Sequence, residues 1–188
     1  MTPSARLLGL ILLAVAPPVS AKEWQMAKGS NLGFSSSFQG EAFNGNFSRF
    51  TPQIRFDPKR LPQARFDVSI DLASADTRNS ERDDTLKTSD FFDVGKTPTA
   101  RYIATSFKDL GNGRYQADGT LNLRGITKPV SLVFSWKPGQ NAVLSGEATV
   151  NRLDYKVGSG DWSDIGILPN AVKVKTVLIL VPKVPATP

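Results

Sequence analysis

From Glu23 onward, apolar positions recur every second residue in short runs broken by Gly, Pro, Asn and Asp. Side chains of a strand point alternately to the two faces of a sheet, so this period and punctuation predict an antiparallel, all-β domain. The clearest run is Ala64 to Leu72, where Phe66, Val68, Ile70 and Leu72 point one way and Asp67, Ser69 and Asp71 the other. One face is dry and one is wet. The alternation recurs in Leu32, Phe34, Ser36 and Phe38, in Leu121, Leu123 and Gly125, and in Val130, Leu132, Phe134 and Trp136. Asn112-Gly113 and Pro138-Gly139 read as hairpin turns between such strands. The last run, Ala171 to Val181, places Val172, Val174, Thr176, Leu178 and Leu180 on one face, and its C-terminal half is apolar on both. Either a helix or loop covers the sheet there, or another surface docks against it.

Helical signals are confined to one place. Ser80 and Asp83 have the spacing of a capping box, Leu86 would face the sheet, and Glu81 and Asp84 suit the positive end of a helix dipole. A polar loop with one helical turn fits the same residues. In the strand Ala142 to Val150, the alternate residues Ala142, Leu144, Gly146, Ala148 and Val150 are mostly small. A closed sheet of about eight strands would either keep a slender internal space beside that wall or fill it with large neighbours. The 11 phenylalanines suit an apolar guest and an aromatic core equally.

The first residues carry Arg6, an apolar run from Leu7 to Ala16, Pro17, Pro18 and the triplet Val19-Ser20-Ala21. Spanning a bilayer takes ~20 apolar residues, about twice this run, so it reads as a secretory signal peptide, residues 1–21, cleaved after Ala21. One domain is expected over 22–182. The prolines at 182, 185 and 188 end the last strand and leave 183–188 as a disordered tail.

Cysteine and histidine are both absent, which removes the commonest zinc sites, the Ser-His-Asp and Cys-His nucleophile systems, and haem ligation by those residues. No metal, no cofactor and no catalytic residue is expected. Asp161 and Asp164 in the loop from Asp154 to Asp164 are the one candidate acid/base pair, yet turns favour Asp and Gly for backbone reasons and no second catalytic group accompanies them. The glycines of that loop fit neither a P-loop nor a dinucleotide fingerprint. Asn46-Phe47-Ser48 is a glycosylation sequon, which matters only in a host that glycosylates secreted proteins. The formal net charge of +6 comes from scattered cations, with no Lys/Arg cluster interleaved with exposed aromatics, so a basic surface is expected and a nucleic-acid partner is not.

Several segments are familiar as a set: Asn44 to Phe50 with Ile54, Phe56, Asp57 and Pro58; Glu81 to Leu86 leading into Ser89, Asp90, Phe91, Phe92 and Asp93; and Thr97-Pro98. Gly119 to Val130 belongs with them, as does the later group Asp154, Tyr155, Gly158, Gly160, Asp161 and Trp162. Over nearly all of the chain after Ala21 this resembles the YceI-like family. Leu121 to Val130 is the most specific piece, and the Asp-Phe-Phe-Asp string Asp90 to Asp93 comes next.

The resemblance implies an extended, lipocalin-like antiparallel β-barrel of about eight strands with a short helical segment beside it. It also implies a long internal pocket for polyisoprenoid chains, such as isoprenoid quinones or polyprenyl phosphates, and a bacterial periplasmic setting that agrees with the signal peptide. Alternation then places Phe34, Phe66, Val68, Ile70, Leu121, Leu123, Leu132, Phe134, Leu144 and Ala148 on the pocket wall. Arg82 and Arg124 are the cations in matching segments and hence the candidate head-group contacts. Members of the family often carry histidine near the first strand and before the Phe-Phe pair. This chain has Gly29 and Thr85 there, so no histidine contact to a head group carries over.

The expected function is a soluble periplasmic carrier or scavenger of isoprenoid or other long-chain lipids. An accessory role beside a membrane-protein partner of a redox or envelope system is the alternative, and an enzyme acting on lipid through Asp161 or Asp164 stands third. Exposed sheet edges would permit a homodimer, which no residue decides.

Overall fold

The computed structural model describes residues 21–183. The expected signal peptide, apart from Ala21, and the expected tail, apart from Lys183, lie outside them. In chain order the elements are β1 (Glu23–Met26), β2 (Asn31–Phe38), β3 (Glu41–Phe47), β4 (Phe50–Arg55), β5 (Arg65–Asp71), β6 (Ala75–Asp76), α1 (Ser80–Lys87), β7 (Thr99–Gly111), β8 (Arg114–Leu123), β9 (Ile126–Lys137), β10 (Ala142–Asn151) and β11 (Ala171–Pro182). Eight strands close on themselves in the order β1-β4-β5-β7-β8-β9-β10-β11 and back to β1, while β2, β3 and β6 extend the sheet from β11. Closure pairs the edges that an open sheet would expose.

β1 and β2 lie end to end along β11, in registers that run from Trp24↔Pro182 to Ser35↔Lys173. The corner between them covers Ile179 on the outer face of β11, while Val177 on the same face stays 42% exposed. The amide of Ala27 donates to the Ile179 carbonyl at 2.8 Å. Gly29 lies so close to Ile179 that a β-carbon there would meet its Cδ1 at 3.0 Å. Gly29 has φ +89°, which L side chains rarely adopt, so this covering corner depends on glycine. Asn112-Gly113 forms a two-residue turn with φ 54° and 72°, as the sequence predicts. Gln39-Gly40 and Arg124-Gly125 do the same, with φ 50° and 85°, and 52° and 74°. Gly125 is therefore a turn residue, and β8 ends at Leu123 rather than continuing the alternation through it.

The helix is real, but its cap sits one residue earlier than the spacing suggests. The Asn79 side chain accepts from the Arg82 amide at 3.0 Å. Asp83 turns away from Ser80 and accepts from the Thr77 amide and hydroxyl at 2.8 and 2.6 Å, which ties α1 to the chain just after β6. Leu86 is buried beneath it.

Two apolar clusters divide the interior. One plugs the end where Phe56 follows β4, and packs Trp24, Phe66, Tyr115, Phe134 and Trp136 around it. The indole of Trp24 donates to the Phe56 carbonyl at 2.9 Å. The other lies under α1 and the long loops at the opposite end, with Leu86, Phe91, Phe92, Tyr155, Val157 and Leu168. These loops form a lid.

The outer wall is polar and braced by carboxylates. Asp67 accepts from Arg101 through both oxygens at 2.8 Å and from Arg65 at 3.1 Å. The Arg101 hydrogen bonds are the main reason that its carboxyl is held below the ordinary range. Asp118 accepts from Ser131 at 2.6 Å and Gln116 at 2.7 Å and pairs with Lys108 at 3.0 Å, chiefly through Ser131, which lowers it to about 2. Both folded values are depressed, so the stabilisation is present above the ordinary carboxylate range and is lost as the pH falls towards about 2. Thermal unfolding followed between pH 5 and pH 2 is expected to show that loss, with a flatter profile for Asp118→Asn.

Candidate functional site

A cavity of about 220 Å³ lies between the plug and the lid. Phe34, Val68, Ile70, Leu132, Ala148 and Val174 form its sides, Ile54, Phe66, Leu144 and Leu178 its floor, and Leu86, Phe91, Phe92, Val157 and Leu168 its roof. The side residues are only half-buried although they point inward, because the surface they leave free belongs to the cavity. The polar members are few: Ser36, Tyr102, Arg152 and Thr176. The Tyr102 hydroxyl donates to the Ala117 carbonyl at 2.9 Å, and burial first, then the Asp118 charge, push its pKa well above the usual phenol range. Thr176 donates to the Asn31 carbonyl at 2.9 Å. The Ser36 hydroxyl is buried with no hydrogen-bond partner among the described residues.

Of the residues that alternation places on the wall, Phe34, Phe66, Val68, Ile70, Leu121, Leu123, Leu132, Leu144 and Ala148 all line this cavity. Phe134 does not. It shares the inward face of β9 with Leu132 but is 1% exposed within the plug, its ring 5.3 Å from those of both Phe56 and Phe66. The small-residue strand β10 is partly filled and partly open. A β-carbon at Gly146 would meet the Leu132 side chain at 2.9 Å, so that glycine seats its neighbours, and free space remains beside Ala148.

Neither candidate head-group cation lines the cavity. Arg124 donates to the carbonyls of Ser89, at 2.8 Å, and Lys156, so it clasps two lid loops to the β8–β9 turn. Arg82 donates to the Thr77 hydroxyl at 2.9 Å, and its guanidinium lies 4.5 Å from the centre of the Phe43 ring, which is itself a wall residue. Asp161 and Asp164 also lie off the cavity. The Asp164 carboxylate accepts from the Gly166 amide at 2.8 Å, a turn-forming role. Among the described residues no group of three or more His, Cys, Asp or Glu side chains is placed to hold a metal ion.

Arg152 is a cavity-lining residue that alternation left unremarked. It continues the inward register of β10 by one pleat and is 3% exposed. Its Nε donates to the Pro169 carbonyl at 3.1 Å, Nη1 to those of Val157, at 2.9 Å, and Gly158, and Nη2 to those of Trp162 and Leu168, both at 2.7 Å. Every N–H of the guanidinium is therefore used on a backbone carbonyl of the roof loop. Burial lowers its pKa. A charged residue in the inward register was the available signal, since a buried cation must find partners.

Phe34 owes its position to Gly45, its partner across β2 and β3. The outer end of the Phe34 ring lies over that glycine, and a β-carbon there would collide with it. Gly45→Ala is expected to push the ring into the cavity at a cost of about 1–3 kcal/mol. Thermal unfolding and a ligand titration on the same sample would show both effects.

A family model described as the YceI-like domain matches residues 24–179. A UPF0312 protein of Vibrio parahaemolyticus is 31% identical over 179 residues, which cover 87% of this chain and 95% of that protein. Another, of Shewanella denitrificans, is 36% identical over 132 residues, 68% of this chain and 69% of that protein. Among solved structures, BcnA of Burkholderia cenocepacia superposes with a TM-score of 0.77 at 26% identity, covering 80% of this chain and 95% of its own. A polyisoprenoid-binding domain from Saccharophagus degradans superposes with a TM-score of 0.66 at 17% identity, covering 87% and 99%. At that identity the last comparison speaks for the fold.

Proposed function

The chain belongs to the YceI-like family, and from that premise we propose that it is a binding protein for isoprenoid or other long-chain apolar lipids, the chain lying inside the barrel. The observation that carries this reading is the character of the cavity wall. Tyr102, Thr176 and Arg152 have committed their donors to protein carbonyls. A polar guest would lose its water hydrogen bonds and regain almost none, whereas an apolar chain gains ~25 cal/mol per Å² removed from water. The description of the Saccharophagus degradans domain as polyisoprenoid-binding supports the same ligand class.

A quinone and a polyprenyl phosphate share this chain and differ in the head. Arg82, held beside the wall residue Phe43, offers a cation to an anionic head, and the spare hydroxyl of Ser36 offers a hydrogen bond to a neutral one. The residues from Arg6 to Ala21 support export to a periplasm. Binding rather than catalysis fits a wall that carries no carboxylate among the described residues.

Titrating the purified chain with ubiquinone, a polyprenyl phosphate and a short prenyl alcohol tests the proposal. Saturable, one-to-one uptake of the long chains and little uptake of the short one is the expected result. Failure to take up any of them would remove the reading.

A further inference from the structure

The lid end carries a group of apolar side chains that point into solvent. Ile165 is 62% exposed, Ile167 40% and Phe38 36%. They belong to two laced loops, because the amide of Gln39 in the β2–β3 turn donates to the Ile167 carbonyl at 2.9 Å. Ile165 is held out on a formed turn, in which the amides of Ile167 and Leu168 donate to the Asp164 carbonyl at 3.2 and 3.0 Å. The Phe38 ring lies 6.1 Å from that of Trp162, which meets Phe91 edge-on at 5.3 Å. Phe91 and Leu168 line the cavity. One apolar path therefore leads from the exposed tip through Trp162 to the roof of the cavity.

The geometry points to a bilayer-docking surface: Ile165, Ile167 and Phe38 enter the interfacial region of a lipid membrane, with Trp162 at head-group depth and the lid turned towards the lipid. The inference extends the carrier reading, since the cargo of that reading is a membrane resident, but the surface itself is defined without it. A second copy of the chain is a poor occupant, because these three side chains expose far less than the ~800 Å² per partner that a stable protein interface buries. A few apolar side chains and an interfacial tryptophan are what a reversible membrane contact uses. Glu41, Asp161 and Asp164 flank the tip in sequence, so the attachment is apolar and does not depend on anionic lipid.

The test uses the purified full chain and phosphatidylcholine vesicles that contain phosphatidylcholine with brominated acyl chains, without added cargo. Trp162 is half-buried at the tip, whereas Trp24 and Trp136 are buried in the plug at the other end, so only a docked tip brings an indole within reach of the bromines. Quenching of tryptophan emission that persists at high salt is expected. Ile165→Asp is expected to lower the bound fraction about tenfold with unfolding unchanged, and Trp162→Phe to bind while losing the quenching. The proposal is overturned if Ile165→Asp binds as well as the unaltered chain, as it would through the apolar run Leu7 to Ala16. It is equally overturned if binding requires phosphatidylglycerol or disappears in salt, or if Ile165→Asp abolishes self-association in a chain that ignores vesicles. Because no cargo is present, these outcomes are independent of the titration that tests the carrier reading.

Discussion

Arg152→Leu is expected to lower stability by about 3–5 kcal/mol, a large effect for one substitution, because several buried carbonyls go unpaired at once. Five carbonyls, those of Val157, Gly158, Trp162, Leu168 and Pro169, lose their donor together. Each buried carbonyl left unpaired costs about 1–3 kcal/mol, offset in part because leucine carries no charge to desolvate. Arg152→Lys keeps the charge but has three donors on one atom, too few and too closely grouped for carbonyls spread around a planar fork. Both variants should unfold roughly 10 °C lower, leucine the more so, and the lid loop should release a bound ligand faster. Thermal unfolding together with a dissociation rate measures the two effects. A variant that melts lower yet holds ligand as long as the unaltered chain would mean that Arg152 supports the barrel rather than the roof.

Ala148→Phe separates binding from stability in the opposite way. Ala148 faces the open part of the cavity, and its backbone is fixed by pairing with Val174. A phenyl group there occupies the volume that the ligand would fill. Affinity for a long isoprenoid should fall at least about 100-fold, equivalent to losing on the order of 110 Å² of apolar contact. Stability should change little, since the strain of the larger side chain is offset by dispersion attraction between the new ring and the apolar walls it reaches across the empty space. Titration and unfolding on the same preparation read both quantities.

The faces of the strands were legible because alternation is a local property: Phe66, Val68, Ile70, Leu121 and Leu123 stand on the cavity side as their spacing says. Height along the barrel axis was not. Leu132 and Phe134 share a face, yet one borders the cavity and the other is locked in the plug. That boundary is made by Phe56, which lies outside any strand and packs edge-on or tilted against Phe66, Tyr115, Phe134 and Trp136 from several strands. The roof was equally hidden, since Val157 and Leu168 sit in loops with no period to read. Arg124 and Arg82 were visible as cations, but the loop carbonyls that Arg124 clasps and the Phe43 ring that Arg82 lies against come together only in the fold. The turn at Gln39-Gly40 gave no signal, because glutamine seldom takes the positive φ that it has here.

The most direct test of the central claim is native mass spectrometry, followed by organic extraction, of the protein purified without detergent from a bacterial envelope fraction. The expected result is one isoprenoid per chain, released by solvent and missing from Ala148→Phe. A bare chain mass in both proteins, with no uptake of added ubiquinone or polyprenyl phosphate, would contradict it.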